Sequence, residues 1–226
     1  MKIQGLQKLT VLDFPGQVAC IVFTAGCSFR CPFCHNATLV KSEGENITEE
    51  EVMAFLKKRQ GILDGVVITG GEPTIQKDLK EFVVKVKALG YKVKLDTNGY
   101  HPEALKELLE ENLLDYVAMD VKNSKAKYSC TTGIQNVDIS RIEQSIEMLK
   151  NGNVPYEFRT TVMEELHQTQ DIVEMGKWLQ GAKKHYIQSF KDSGDILCGN
   201  FTAPNEQKIG EFKQILIKTI PEVESR

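Results

Sequence analysis

The sequence has no apolar run long enough to cross a membrane, which takes about 20 residues. Its first residues, 1–5, contain no apolar segment of the kind that directs secretion, so we expect a cytoplasmic location. The formal net charge is only −3, and a chain so close to neutral is a poor candidate for binding nucleic acid or anionic membranes. We therefore expect neither as a partner.

The chain also lacks a low-complexity linker and a strong internal repeat. Its 226 residues, 41% of them hydrophobic, are enough to form one sizeable core. We therefore expect a single domain over residues 1–226.

The six cysteines are distributed unevenly along the chain. Three of the six, Cys27, Cys31 and Cys34, form the pattern C-x3-C-x2-C in one short segment. A structural zinc site usually adds a second ligand pair further along, C-x-x-C or H-x3–5-H, and the sequence contains none. A four-iron cluster needs four ligands, so three thiolates leave one corner of the cube open to another molecule. The pattern favours a [4Fe–4S] cluster held by these three cysteines over zinc.

Apolar runs alternate with amphipathic segments along the chain. The runs predict strands at 18–23, 65–69, 91–96, 116–120, 156–162 and 184–188. Amphipathic helices are predicted after them, one of them opened by a capping box of Thr48 and Glu51. Such βα units give parallel strands, but periodicity alone does not separate a doubly wound sheet from a barrel. In both folds the segments that follow the strands lie at one edge.

The motifs resemble one family. The C-x3-C-x2-C spacing with an aromatic residue before the last cysteine is similar to that of radical S-adenosylmethionine (SAM) enzymes. Residues 5–10, 13–16, 23–27 and 34–36 resemble the activating enzymes of glycyl-radical enzymes. They favour the activators of anaerobic ribonucleoside-triphosphate reductase. The alternatives are an activator of pyruvate formate-lyase or of another glycyl-radical enzyme, and a radical SAM enzyme that acts on a small molecule. The resemblance implies an α/β fold, a partial (βα)6 TIM-like barrel of the radical SAM type.

The resemblance also implies a reaction. An electron from the [4Fe–4S] cluster would cleave SAM, and the resulting 5′-deoxyadenosyl radical would take hydrogen from a glycine Cα of a partner protein. The implied partners are a glycyl-radical enzyme as substrate and a low-potential electron donor such as flavodoxin or ferredoxin. No side chain of this chain is expected to act as a general base. The non-enzymatic alternative is an iron–sulfur electron carrier, which would have four protein ligands.

Two predicted strand ends would contact SAM according to the resemblance. Gly70, Gly71 and Glu72 resemble the Gly-Gly-Glu motif, whose backbone and carboxylate hold the methionine ammonium. A tight βα turn is the alternative for the glycines. Asp96 and Asn98 would hydrogen-bond the ribose, although an asparagine before a glycine by itself indicates a turn.

A third strand end carries Asp120 and Lys122, which resemble the Asp-x-Lys motif that lies beside SAM in these activators. A surface ion pair is the alternative. Arg159 stands inside the fifth predicted strand and would supply a cation for the methionine carboxylate. Its alternative role is an ion pair with Glu157, which lies on the same face of that strand.

Three more residues are predicted to contact SAM or the cluster. Phe33 resembles the position that packs on adenine, with packing inside its own loop as the alternative. His35 would hydrogen-bond a cluster sulfur or SAM, and Gln188 would contact the adenosine. We expect the remaining histidines, among them His167 and His185, to be solvated or structural.

Overall fold

The computed structural model describes residues 1–192 and 194–226. These fall into two compact units, Met1–Ser28 with Thr38–Ala118 and Phe29–Ala37 with Met119–Arg226. Within the part of the chain that is described, no helix is both long and apolar enough to cross a lipid bilayer. The expectation of one domain over residues 1–226 stays a prediction.

The first unit contains a sheet in which strands follow each other in chain order. Its strands are β1 (Ile3–Thr10), β2 (Ala19–Thr24), β3 (Gly65–Gly70), β4 (Lys92–Thr97) and the first three residues of β5 (Tyr116–Asp120). Its helices are α1 (Ala37–Lys41), α2 (Glu49–Lys58), α3 (Leu79–Ala88) and α4 (Pro102–Glu110). The first residue of α1, Ala37, is assigned to the second unit. Strand β1 is antiparallel to β2, whereas β2, β3 and β4 are parallel.

Local sequence signals place these elements. Thr48 Oγ1 accepts a hydrogen bond from Glu51 N, and Glu51 Oε2 accepts one from Thr48 N, which confirms the predicted capping box before α2. Pro102 opens α4. Phe82 and Val86 on α3 are fully buried, and α3 packs on β4. Helix α3 therefore covers β4 with buried apolar side chains.

The second unit contains the rest of the chain. Its strands are the last two residues of β5, then β6 (Tyr156–Val162), β7 (Lys184–Ser189) and β8 (Glu222–Ser225). Its helices are α5 (Tyr128–Thr132), α6 (Ile139–Asn151), α7 (Thr169–Trp178) and α8 (Glu206–Leu216). Strands β6, β7 and β8 are parallel and adjacent. Helix α7 packs on α8, and the side chains of Phe158, Ile172, Phe212 and Leu216 are fully buried.

The six predicted strands are confirmed as β2 to β7, each within about one residue of its expected bounds. Two further strands, β1 and β8, were not predicted. In β1, irregularities between Ile3 and Gly5 and between Gln7 and Thr10 disturb the alternation that marks a strand. In the short strand β8 only Val223 is buried, so its sequence carries no apolar run.

Candidate functional site

The cysteine segment, residues 25–35, contains the C-x3-C-x2-C pattern. Its first part, residues 25–28, belongs to the first unit and is held by backbone hydrogen bonds. Gly26 N donates to Leu39 O over 2.8 Å, and Gly26 O accepts from Glu72 N over 2.8 Å. A Cβ on Gly71 would lie 1.9 Å from Gly26 O, so only glycine permits this approach. The sequence suggested that this glycine makes room for a ligand; what it admits in the structure is the backbone of the cysteine segment.

Glu72 is buried, with 1% of its surface exposed, and its carboxylate binds groups of its own unit. Oε1 accepts from Thr74 N (3.1 Å), Thr74 Oγ1 (2.5 Å) and Thr97 Oγ1 (2.7 Å), and Oε2 accepts from Asn98 N (2.7 Å). Burial raises the pKa of Glu72, and these hydrogen bonds oppose part of that rise. The carboxylate ties the end of β3 to the end of β4, a function that the motif did not reveal.

The two residues expected at the ribose have partners as well. Asp96 forms an ion pair with Lys94, whose side chain is 2% exposed. Asn98 Nδ2 donates to Ser28 Oγ (3.2 Å) and lies 3.8 Å from Cys27 Sγ. The structure thus brings Asn98 to the first cysteine of the pattern. Sequence reasoning missed Lys94, although a lysine two residues before Asp96 on a strand shares its face.

The remainder of the cysteine segment belongs to the second unit. Arg30 N donates to Thr132 O (2.8 Å), and Cys34 N donates to Cys31 O (3.0 Å) in a turn between the two cysteines. A Cβ on Gly133, which has a φ of +68°, would lie 2.2 Å from Arg30 O. Gly133 was not among the predicted site residues, yet it gives this part of the segment the same close backbone contact that Gly71 gives the other part.

Phe33 lies in an aromatic cluster of the second unit. Its ring is 6.1 Å from that of Phe201, which is 5.9 Å from that of Phe190, and both pairs are edge-to-face. Phe33 is 4% exposed, so its ring packs within the unit, and a contact with adenine stays a prediction. Gln188 is half-buried near the end of β7, opposite Thr161 of β6.

Asp120, Lys122 and Arg159 form a charged triad at the end of β5. Asp120 Oδ2 accepts from Lys122 Nζ (2.9 Å), and Oδ1 accepts from Arg159 Nε (2.8 Å). Burial alone would raise the pKa of Asp120, but the two cations outweigh it and hold that pKa well below its usual range. Arg159 therefore pairs with Asp120, while Glu157 lies 3.4 Å from Arg226.

The thiols and the imidazole of the segment respond to the same surroundings. Burial raises the pKa of Cys31 to about 11 and also raises that of Cys34, while the charge of Lys122 lowers both. Burial lowers the pKa of His35, and the charges of Lys122, Asp120 and Arg159 act on it too. The second unit therefore places two cysteines and His35 within electrostatic range of the charged triad.

The donor set fits an iron–sulfur cluster. All six cysteines are free thiols, and three of them lie in one segment of soft donors. Across residues 1–192 and 194–226, no three His, Cys, Asp or Glu side chains converge as ligands of a single ion do. A cluster does not require that convergence, because each thiolate binds a different iron atom.

Comparisons with known proteins agree with this donor set. The model of the Radical SAM superfamily matches residues 21–179. A candidate glycyl-radical enzyme activating enzyme of Methanocaldococcus jannaschii is 34% identical over 231 residues, which cover 98% of this chain and 94% of that protein. The chain belongs to the glycyl-radical activating enzymes of the radical SAM superfamily. The cofactors of this superfamily are a [4Fe–4S] cluster and SAM.

Two further proteins match over a smaller share of this chain. The pyruvate formate-lyase-activating enzyme of Clostridium pasteurianum is 31% identical over 139 residues, 58% of this chain and 57% of that protein. The crystal structure of a domain of pyruvate formate-lyase-activating enzyme from Bacteroides vulgatus has a TM-score of 0.59 and 16% identity, and the match covers 72% of this chain and 98% of that one. Membership and this likeness give the fold class, a partial (βα)6 TIM-like barrel of the radical SAM type.

Proposed function

We propose that this radical SAM protein activates anaerobic ribonucleoside-triphosphate reductase, by reductive cleavage of SAM at a [4Fe–4S] cluster and formation of a glycyl radical on the reductase. The observation that carries the proposal is the C-x3-C-x2-C segment, which each unit fixes through a close contact with a glycine. Residues 5–10, now seen as part of β1, favour the reductase as target. In this proposal residues 1–226 act as one radical SAM domain.

Cys27, Cys31 and Cys34 would each bind one iron as thiolates. Coordination requires loss of the thiol proton, and Lys122, whose charge lowers the pKa of Cys31 and Cys34, favours that loss. The bound cluster supplies the electron for SAM cleavage. Asn98, 3.8 Å from Cys27 Sγ, is placed to donate to a cluster ligand. His35 would donate to a sulfur or to SAM, as its sequence position indicates.

Gly70, Gly71 and Glu72 would hold the methionine ammonium of SAM. The Glu72 carboxylate already accepts four hydrogen bonds and is 1% exposed. We therefore assign the ammonium contact to the backbone of these residues, and we assign to the Glu72 side chain the task of fixing that backbone. Asp96 would meet the ribose, with its carboxylate oriented by Lys94.

In the second unit, Lys122 and Arg159 would meet the methionine carboxylate. Asp120 keeps both cations in place, since it bonds to one with each oxygen. Phe33 and Gln188 would contact the adenosine, as the family resemblance implies. None of these residues transfers a proton in the reaction; they bind and orient SAM and keep water and stray hydrogen donors away.

The alternative target is pyruvate formate-lyase or another glycyl-radical enzyme, and the 31% identity to the C. pasteurianum activating enzyme favours it. The electron donor would be a low-potential protein such as flavodoxin or ferredoxin. Reduced thiols and low-potential electrons fit a cytoplasmic setting, with neither nucleic acid nor membrane as partner.

The experiment mixes the reduced, cluster-loaded protein and SAM with anaerobic ribonucleotide reductase and, separately, with pyruvate formate-lyase. A glycyl-radical doublet in the EPR spectrum of the reductase alone supports the proposal. A doublet on the lyase alone selects the alternative. If SAM yields no 5′-deoxyadenosine under these conditions, the protein does not cleave SAM reductively and the proposal is wrong.

A further inference from the structure

The backbone of Lys122 is held by side chains on both sides. Lys122 lies two residues after the end of β5, so it is not part of the strand. Its N–H donates to Tyr128 Oη over 3.3 Å, and its carbonyl oxygen lies 2.9 Å from His167 Nε2. Both polar groups of this residue therefore depend on side chains that the sequence did not mark as functional.

His167 is fully buried, and its bonds determine which nitrogen carries the proton. Met163 N donates to His167 Nδ1 over 3.4 Å, so Nδ1 is the acceptor. Nε2 must then carry the proton, and it donates a hydrogen bond to the carbonyl oxygen of Lys122. Burial lowers the pKa of His167, which favours this neutral form.

A second connection joins the same two segments. Asn123 Nδ2 donates to Leu166 O and to Thr131 Oγ1, each over 3.0 Å. Asn123 Oδ1 in turn accepts from Ser124 N over 2.7 Å. Residues 122–124 are thus attached to the turn before α7 at two points, and both donors of the Asn123 amide are used.

Tyr128 provides the support on the other side of Lys122. Its ring is fully buried between two aromatic rings, 6.3 Å from that of Phe29 and 5.9 Å from that of Trp178, both edge-to-face. The hydroxyl that meets Lys122 N is therefore carried on a ring with little freedom to move.

We propose that His167 and Tyr128 are positioning residues, which hold the backbone of Lys122 so that its ammonium group, with Asp120 and Arg159, is pre-arranged for SAM. The inference rests on the proposed function, because it takes SAM as the ligand of this charged triad. Neither residue touches the reacting atoms. Pre-arranged cations lose less freedom on binding, and loss of either support raises the Kd for SAM.

The test uses the cluster-loaded protein and calorimetric titration with SAM. His167→Asn is too short to reach Lys122, whereas His167→Gln can still donate to its carbonyl. Tyr128→Phe keeps the ring and removes the acceptor of Lys122 N–H. The matched control is His185→Leu, since His185 is equally buried in the same unit and neither of its ring nitrogens has a hydrogen-bond partner among the described residues.

We expect His167→Asn to raise the Kd for SAM about tenfold and Tyr128→Phe to raise it about threefold to tenfold. His167→Gln should stay within about threefold of the unmodified protein, and His185→Leu should not change the Kd. Hydrogen exchange of the amides in 121–124, measured without SAM, should be faster in His167→Asn and in Tyr128→Phe, and unchanged in His185→Leu.

Several outcomes would overturn the inference. One is an unchanged Kd in both His167→Asn and Tyr128→Phe, even with lower thermal stability. Another is a His167→Gln protein that binds SAM as weakly as His167→Asn. If His167→Asn does not fold, Tyr128→Phe decides alone. Failure of the unmodified protein to bind SAM would instead refute the proposed function, and the inference with it.

Discussion

The two units solve the same electrostatic problem in opposite ways. In the first, the Glu72 carboxylate is met by hydroxyl and backbone donors, all of them neutral. In the second, the Asp120 carboxylate is met by Lys122 and Arg159. Burial dominates at Glu72 and raises its pKa, whereas the cations dominate at Asp120 and lower its pKa.

This difference separates two kinds of acid at strand ends. A carboxylate that neutral donors surround is a structural junction, because it satisfies several orphan N–H and O–H groups at once. A carboxylate that cations surround controls where positive charge is held. We therefore expect changes at Glu72 to act mainly on stability and changes at Asp120 to act mainly on ligand affinity.

The largest effect should come from the cysteines, which belong to both units. Cys27→Ala in the first unit, and Cys31→Ala or Cys34→Ala in the second, should each abolish SAM cleavage, because each removes one cluster ligand. The measurements are iron content and 5′-deoxyadenosine yield after anaerobic reconstitution. Cys130→Ala and Cys198→Ala change exposed thiols and should keep both. Loss of iron in either would contradict the three-ligand assignment.

The next effect should come from the glycines on which the cysteine segment rests. Gly71→Ala and Gly133→Ala place a Cβ 1.9 Å from Gly26 O and 2.2 Å from Arg30 O, respectively. Each should cost at least about 1–3 kcal/mol of unfolding free energy, because backbone must move. Denaturant unfolding measures the cost.

Gly210→Ala is the matched control for these glycines. It lies in α8 with no atom within 4 Å of the added Cβ, and it should raise stability by roughly 0.5–1 kcal/mol. Equal behaviour of all three variants would mean that neither contact constrains the segment.

A smaller effect should separate the two acids. Glu72→Gln turns an amide N–H toward one of the groups that now donate, and should cost about 1–3 kcal/mol of unfolding free energy. Asp120→Asn weakens the hold on two cations that are partly exposed, so its cost in stability should be lower. It should nevertheless raise the Kd for SAM more than Glu72→Gln does. The reverse order in either measurement would refute the distinction between the two acids.

The most gradual effect should be the response to pH. Burial lowers the pKa of His185 in the second unit to about 3. The unfolded chain then binds more protons below about pH 6.5, so stability should fall as the pH falls from there toward 3, by at most about 1.4 kcal/mol per pH unit for this one group. Asp120, whose pKa is depressed, adds stability that is lost only below about pH 4. His185→Leu should flatten the slope between pH 6.5 and 4.5 in urea titrations, and an unchanged slope would assign it to other groups.

Much of the fold could be predicted because its signals are local. The apolar run of β3 and the reciprocal bonds of Thr48 and Glu51 depend on residues close in sequence. Strand β1 was not predicted because its pairing with β2 is irregular, and β8 was not predicted because its side chains are mostly exposed.

The site was predictable only in part. Motifs identified Asp120 and Lys122 because their spacing is short. The partners of those residues come from distant positions: Arg159 meets Asp120 from 39 residues away, and His167 meets Lys122 from 45 residues away. No periodicity encodes such pairs, and a lone histidine in a sequence carries no sign of the carbonyl that it will bind.

Trp178 gives the second unit an optical reporter of its own. It is the only tryptophan of the chain, half-buried, with Lys125 Nζ 5.2 Å from its ring centre and the Tyr128 ring edge-on beside it. Any shift of Tyr128 that follows occupation of the neighbouring charged groups alters the surroundings of the indole. Since the Tyr128 hydroxyl accepts from Lys122 N, the emission of the unlabelled protein would report a movement of that ring, without a dye or an engineered fluorophore.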